Sequence, residues 1–322
     1  MHISVFVPEQ AVIEAISPPY RLFTSANDFL SWQGKDPIFE VEFVGLSSSV
    51  VVQNGEYEVK THKTLEKVKN TDLVIIPALY GDVRQAVEKN NRALDWLKAM
   101  FRSGSEIASL CVGAFLLAET GLANGKKCST HWAYYDDFRA MYPQIELIPG
   151  TIISDEDGVY SSGGANSIWN LLLYLLEKYT DRATAILAAK FFAIDIDRFD
   201  QGMFTIFSAQ KNHSDTEILK TQEIIEARFY DKITVDELAD YIAVNRRTFE
   251  RRFKNATNNT VMEYLQRVRV EAAKRKFEAS RKNVNEVMYE VGYSDNKAFR
   301  EVFKKIAGIT PVEYRNKYAK VG

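Results

Sequence analysis

An α/β domain with a doubly wound, mostly parallel sheet, followed by an all-α domain, is the fold that this 322-residue chain predicts. Three observations carry the expectation. Short apolar or β-branched runs alternate with helix-like segments over roughly the first two hundred residues, the signature of a parallel sheet covered on both faces. Strand signals almost vanish beyond residue 216. Charge divides in the same place: residues 222–322 hold 21 Lys and Arg against 15 Asp and Glu, and residues 1–221 hold 20 against 28. The length suits two domains rather than one, and 46% hydrophobic with 26% charged residues excludes wholesale disorder.

The elements follow in order. Ile3–Val7, Phe39–Val44, Leu73–Pro77 and Ile107–Leu110 read as buried strands, each followed by a stretch that can form a helix. One helix is expected over Val83–Phe101, because Val83, Val87, Leu94, Leu97 and Phe101 recur near a 3.6-residue period. Glu146–Ile153 and Val159–Ser161 read as strands around an acidic turn at 155–158, with helices over Ser167–Lys178 and Ala183–Phe192. Polarity rises over 208–216, which places a linker at 208–215 between domains 1–207 and 216–322. Helices are then expected over Thr216–Tyr230, Val235–Ile242, Arg246–Ala256, Met262–Ser280, Val284–Val291, Lys297–Ala307 and Pro311–Tyr318.

Several function classes are set aside at this stage. Two cysteines, Cys111 and Cys128, make no disulfide framework, and four histidines do not cluster with them at metal-ligand spacing. No metal or cofactor is expected. The N-terminus lacks the basic region of a secretory signal, and no apolar run is long enough to span a membrane. A soluble, cytoplasmic protein without a membrane partner is the expectation. An acidic front and a basic back suggest that only the back half meets a polyanion, although a solvated charged face would look the same in composition.

Within the back half one pattern occurs twice. Asp236–Ile242 supplies a short helix, Ala243 and Val244 a turn, and Asn245 a cap for Arg246–Lys254, which places Phe249 and Phe253 inward and Arg247, Glu250 and Arg251 outward. Asn285–Val291, the turn 292–294 and Lys297–Lys304 repeat it, with Phe299 and Phe303 inward. A short helix, a tight turn and a cation-rich second helix form a helix-turn-helix unit that can read the major groove. The two units, above all the run VGYSD…F…FK…GITPVEYR, resemble the DNA-binding domain of the AraC/XylS transcriptional regulators over about residues 216–320. The resemblance implies double-stranded DNA as partner, the helix 262–280 as bridge between units, and Arg246, Arg247, Glu250, Arg251, Asn296, Lys297 and Arg300 at the DNA. Arg suits guanine O6/N7, Asn the adenine edge and Glu cytosine N4, while a phosphate contact stays open for each. Asn258-Asn259-Thr260 departs from the family's glycine turn, but Asn tolerates a left-handed backbone.

In the front half, Ile107–Leu110 runs directly into Cys111, with Gly113 two residues on and an apolar helix behind. A strand, a nucleophilic residue and a close-packing glycine before a helix follow the logic of a nucleophile elbow, where the helix N-terminus lowers a thiol pKa. A small core residue fits the same position. His131 is the nearby candidate base. The stretch ASLCVGAFLLAETGLANGKKCSTHW, with GVYSSGGANSIWNLLLYLLEK, resembles the class I glutamine-amidotransferase-like superfamily in its ThiJ/PfpI branch, over about residues 1–205. The resemblance implies a flavodoxin-like sheet and makes Cys111, His131 and an acidic residue at Glu14 the pocket set, the acid touching the thiol. In the branch fused ahead of AraC-type domains it implies a regulatory pocket for a small metabolite, an amino acid or amine derivative; the front domain is expected to sense such a ligand, to dimerise or both, a dimerisation scaffold without a ligand stays open, and a homodimer is expected. Pro77–Gly81 stands where the superfamily has Pro-Gly-Gly, and Ile16–Pro19 where it has Gly-Pro, so Cys111, His131 and Glu14 are expected to be a degenerate catalytic set. The alternative is a Cys111-dependent hydrolase or amidase with an appended DNA-binding domain. Trp132, Tyr134 and Tyr135 can wall the pocket or pack in the core. Gly163-Gly164-Ala165-Asn166 can cradle an anion, but a tight turn before a helix explains it better.

Overall fold

The computed structural model describes residues 1–196, 201–202, 207, 210–211 and 213–319. Its contacts divide the chain into two compact units, Met1–Gln201 and Gly202–Gly322.

The first unit opens with β1 (His2–Val7), α1 (Ile13–Trp32), β2 (Glu40–Gly45), the hairpin β3 (Ser49–Val52) and β4 (Tyr57–Lys60), and β5 (Lys63–Thr64). There follow β6 (Leu73–Ile76), α2 (Val83–Lys89), α3 (Asn91–Arg102), β7 (Glu106–Leu110), α4 (Ala114–Glu119), β8 (Lys127–Cys128) and α5 (Tyr135–Met141). β9 (Glu146–Leu147), β10 (Ile153–Glu156), β11 (Val159–Ser162), α6 (Ile168–Tyr179) and α7 (Arg182–Phe192) complete it. The main sheet runs β10-β11-β7-β6-β1-β2-β5, parallel throughout except for the antiparallel β10–β11 pair. Helices bury both faces, which is why β6 is apolar and buried at every position.

Two expectations change on this scaffold, and a third element, α1, meets its expectation against a local cost. The helix expected over Val83–Phe101 breaks at Asn90, whose fully buried amide turns back to donate to the Ala86 and Glu9 carbonyls and accepts the Glu9 N–H. That side chain competes with the helical ladder, so the period survives and the helix does not. The expected strand 146–153 splits into β9, paired with β8, and β10, because Pro149 offers no donor and Gly150 turns left-handed. A full helix, α1, spans Pro18 and Pro19, although proline costs about 3 kcal/mol in a helix interior. Burial of Ala15, Ile16, Leu22, Phe23, Ala26, Phe29 and Leu30 outweighs that cost, at about 1.5–3 kcal/mol for each large side chain.

Residues 208–215 are the expected linker. Positions 208, 209 and 212 lie outside the described residues, and the others belong to the packing of the second unit. Gln210 accepts from Gln222 and Asn259, Lys211 pairs with Glu226, His213 meets Gln222, and Asp215 takes two hydrogen bonds from Arg252. Polarity marks a stretch rich in hydrogen bonds as readily as a solvated one.

The second unit is helical: α8 (Thr216–Ala227), α9 (Val235–Tyr241), α10 (Arg246–Thr257), α11 (Val261–Ala279), α12 (Val284–Glu290), α13 (Asn296–Ala307) and α14 (Pro311–Tyr318). Each begins at an Asp, Asn or Thr whose side chain accepts a backbone N–H of the first turn, with full capping boxes at Thr260, Asn283 and Thr310. Asn258 ends α10 in the left-handed conformation at φ 54°, as its residue type permits. Two cores hang on α11. Val261, Tyr264 and Leu265 pack with Phe249 and Phe253, and Val270, Ala273 and Phe277 with Phe299 and Phe303.

Cys111, at φ 54°, turns the chain from β7 toward α4, and Gly113 presses against the edge of β6. A Cβ at 113 would lie inside the contact distance of the Pro77 and Ile76 carbonyl oxygens, 2.7 Å from the latter. Gly113→Ala should therefore destabilise the first unit by about 1–3 kcal/mol, as overpacking of a tight contact does, measured as a lower urea midpoint.

Candidate functional site

Strand order reverses between β1 and β6. From β1 the chain winds outward through β2 and β5, then returns to place β6, β7 and β11 on the other side. At such a reversal the loops leaving the strand ends diverge and leave a crevice. A cavity of about 840 Å³ occupies that position. Val12 and Glu14 reach it from the segment after β1, Leu79 and Tyr80 from the segment after β6, and Cys111 and Val112 from the elbow after β7. His131, Tyr134 and Trp169 close it.

The three residues expected at the pocket are thus brought to one cavity, but not as a catalytic set. Cys111 is buried, and burial pushes its thiol up to about 12, opposite to the lowering expected from a helix N-terminus. Desolvation of a thiolate outweighs the dipole of the single turn that follows it. His131 uses Nδ1 to accept the Ala133 N–H at 3.2 Å, so its neutral ring carries the proton on Nε2, where a general base would need a lone pair. Burial lowers the His131 pKa and holds the ring neutral. Glu14 stands exposed in the first turn of α1, and among the described residues no hydrogen bond joins it to Cys111 or His131. The substituted segment after β6 is stapled elsewhere: Tyr80 donates to the Gln10 carbonyl, and Ala78 accepts from Val12. The arrangement is a donor-bearing cavity with a neutral thiol and imidazole, aromatic walls and, among the described residues, one carboxylate, Glu14.

Of the aromatics singled out in sequence, Tyr134 lines the cavity and also packs on Phe115. Trp132 lies beside His131 with its ring tilted by 30°, and the Tyr135 hydroxyl accepts the Gly150 N–H. Tyr80 and Trp169 escaped sequence reading, since only the topology brings residues ninety positions apart to one wall. Cys128 is buried and its thiol is raised to about 11 by that burial.

In the second unit α10 and α13 each carry a basic face. Arg247 and Arg251 lie one turn apart on α10, and with Lys254, Thr260 and Met262 they line a cleft of about 440 Å³. Lys297 and Arg300 occupy the corresponding helix, α13. These four are exposed, and among the described residues no carboxylate pairs with them. Three other expected contact residues are engaged within the protein. Arg246 pairs with Asp236 and Glu250, both at 3.1 Å, and Asn296 donates to the Asn285 side chain. Spacing alone gave these positions the same standing as their neighbours; the salt bridges separate them.

Comparison with known proteins agrees with this division. The model of the DJ-1/PfpI family matches residues 13–178, just over half of the chain, and that of a helix-turn-helix domain matches residues 238–317. Among curated proteins the chain is similar to the HTH-type transcriptional regulator ArgR of Pseudomonas aeruginosa, 28% identical over 223 residues, covering 68% of this chain and 67% of that one. It is also similar to the HTH-type transcriptional regulator GbdR of the same species, 26% identical over 247 residues, covering 76% and 66%. The chain thus spans about two thirds of the length of these relatives. Among solved structures, that of a putative transcriptional regulator from Vibrio parahaemolyticus superposes with a TM-score of 0.53 at 22% identity, over 59% of this chain and 98% of that one, and shows the fold of the first unit.

The raised thiols predict two observable effects. With a pKa near 12 instead of 9, Cys111 should react with iodoacetamide at neutral pH about a thousandfold more slowly than a free thiol, and at the ordinary rate once the chain is unfolded. The unfolded thiols lose protons from about pH 9, whereas folded Cys128 and Cys111 hold theirs to about 11 and 12. Their contribution to stability is complete below pH 9 and is lost as pH rises from about 9 through 11–12, so urea midpoints should drop across pH 9–12, less so in Cys111→Ala.

Proposed function

We infer, for a chain that belongs to the DJ-1/PfpI family and carries a helix-turn-helix domain behind it, that it binds double-stranded DNA sequence-specifically to regulate transcription, while its first unit senses a small metabolite. The observation that carries the reading is the pair of exposed cationic helix faces, Arg247 with Arg251 and Lys297 with Arg300, which no carboxylate among the described residues pairs, at the two places where a helix-turn-helix unit meets the major groove. Arg offers a fork that matches guanine O6 and N7, and each such pair contributes about 1–3 kcal/mol of discrimination. Lys304 and Lys305, exposed toward the end of α13, suit phosphates. Two units on one chain suit two successive helical turns of DNA, and a homodimer would pair such sites.

The cavity supports sensing over turnover. Its thiol is protonated, its histidine presents a donor, and the expected acid makes no hydrogen bond to either. Among the described residues Glu14 is the one charged residue in its lining, and the rings of Tyr80, Tyr134 and Trp169 offer faces to a cation. An amino acid or amine derivative fits that chemistry. The named relatives are regulators, which supports the same reading.

Selection from a random DNA pool with the full chain should return one sequence class. Arg251→Ala should relax choice at one position by about 5- to 150-fold, whereas Lys304→Ala should weaken all sites alike and reduce the salt slope by about one. Absence of any sequence preference overturns the DNA reading. In a thermal-shift screen of amino acids, betaines and amines, a hit recovered unchanged and weakened by Glu14→Gln supports sensing. Consumption that disappears in Cys111→Ser instead establishes the enzyme.

A further inference from the structure

The α9–α10 and α12–α13 motifs pack on α11 through separate cores, and they also meet each other directly. The loop 228–231, between α8 and α9, reaches the turn 292–294, between α12 and α13. Gly292 sits in that turn at φ 84°, and a Cβ there would lie 2.7 Å from the Tyr230 carbonyl oxygen and 3.0 Å from its Cα. The glycine therefore serves two ends: it turns left-handed, and it lets the backbone of one motif close on the backbone of the other. Phe229, from the same loop, packs against both cores.

Arg269 of α11 stands at this junction, between the residues that serve the first core (Val261, Tyr264, Leu265) and those that serve the second (Val270, Ala273, Phe277). Its Nε donates to the Phe229 carbonyl at 2.7 Å, and its Nη2 to the Asp231 carbonyl at 2.9 Å. The same guanidinium lies over the Tyr293 ring, 5.2 Å from its centre. One planar fork thus holds two carbonyls ahead of α9 while its charge meets a ring in the turn ahead of α13. Both neighbours are anchored in their own motifs. Arg228 pairs with Asp231 at 3.2 Å and with Glu237 at 2.9 Å, which ties the loop to the first turn of α9. The Tyr293 N–H donates to the Met288 carbonyl at 3.1 Å, and its ring packs 5.3 Å from that of Phe299, so it moves with α12 and α13.

We propose that Arg269 is a positioning residue for DNA recognition: with Tyr293 and Gly292 it clasps the two helix-turn-helix motifs at one mutual angle, so that α10 and α13 read two base segments at a single spacing. The proposal deepens the DNA reading and rests on it. One inserted base pair carries a site about 3.4 Å along the duplex and about a tenth of a turn around it. A clasped pair of helices cannot follow that shift; a loose pair can.

Two measurements test the clasp in the full chain. Nitroxides on Asn255→Cys and Glu301→Cys, exposed positions of α10 and α13, report the distance between the two helices without DNA. Cys111 and Cys128, buried and with raised thiols, escape labelling. The native chain should give one narrow distance distribution, broadened about twofold or more in Arg269→Met and in Tyr293→Leu. The selected duplex is then lengthened or shortened by one base pair between its two segments. The native chain should lose about 30-fold or more in affinity as the α13 contacts are forfeited, and either variant about fivefold or less. A general loss of stability weakens binding at every spacing alike and leaves that ratio unmoved. Tyr293→Leu keeps both carbonyl bonds and an apolar contact, so it reports even where Arg269→Met does not fold. A broad distribution in the native chain overturns the clasp, as do variants as narrow, or as strict about spacing, as the native chain. A selection without sequence preference fails the DNA reading instead, and the distance measurement, which needs no DNA, still decides whether the motifs are clasped.

Discussion

Gly113 lies so close to the Ile76 and Pro77 carbonyls that no side chain fits between them, and the geometry of the first unit depends on that approach. It lets the chain leave β7 through the left-handed Cys111 and enter α4 without lifting away from the sheet. The strand-order reversal between β1 and β6 supplies a crevice in any case, but the tight elbow keeps that crevice shallow enough for residues after three different strands to line one cavity. A wider turn would move Cys111 and Val112 out of reach of Glu14 and His131.

The same closeness decides the chemistry of the cavity. A thiol pressed into an apolar elbow loses the solvation that its anion needs, and among the described residues no neighbouring cation compensates. An elbow that would favour a nucleophile if open to water thereby favours a neutral thiol. With His131 Nδ1 committed to the backbone of its own turn, the site holds donors and aromatic faces rather than a base. Such a surface recognises; it does not readily move protons.

The second unit is governed by how charge and caps are distributed. Asp215, Asp236 and Glu250 each engage an arginine, and what they leave unpaired defines the cationic faces of α10 and α13. α11 contributes separate sets of side chains to the two cores, so both helix-turn-helix units pack on it.

Much of this was legible in the chain itself. Every helix of the second unit starts at a capping side chain, so local chemistry marks its ends, and expected and observed helices agree there within a residue or two, except where α8 ends at Ala227 instead of Tyr230. Alternation of strands and helices, the paired aromatics and the elbow are likewise local patterns, with periods of two to four residues. What the sequence left undecided depends on partners distant along the chain. Asn90 breaks a helix because Glu9 lies beside it, and α1 tolerates two prolines because they are buried along with its apolar face. Trp169 joins Tyr80 through topology, and Gly163 is required by Gln201 rather than by its own turn. The protonation of Cys111 belongs to the same class. Local composition placed a thiol at a helix start, and only the packed interior, by removing water, determined that it keeps its proton.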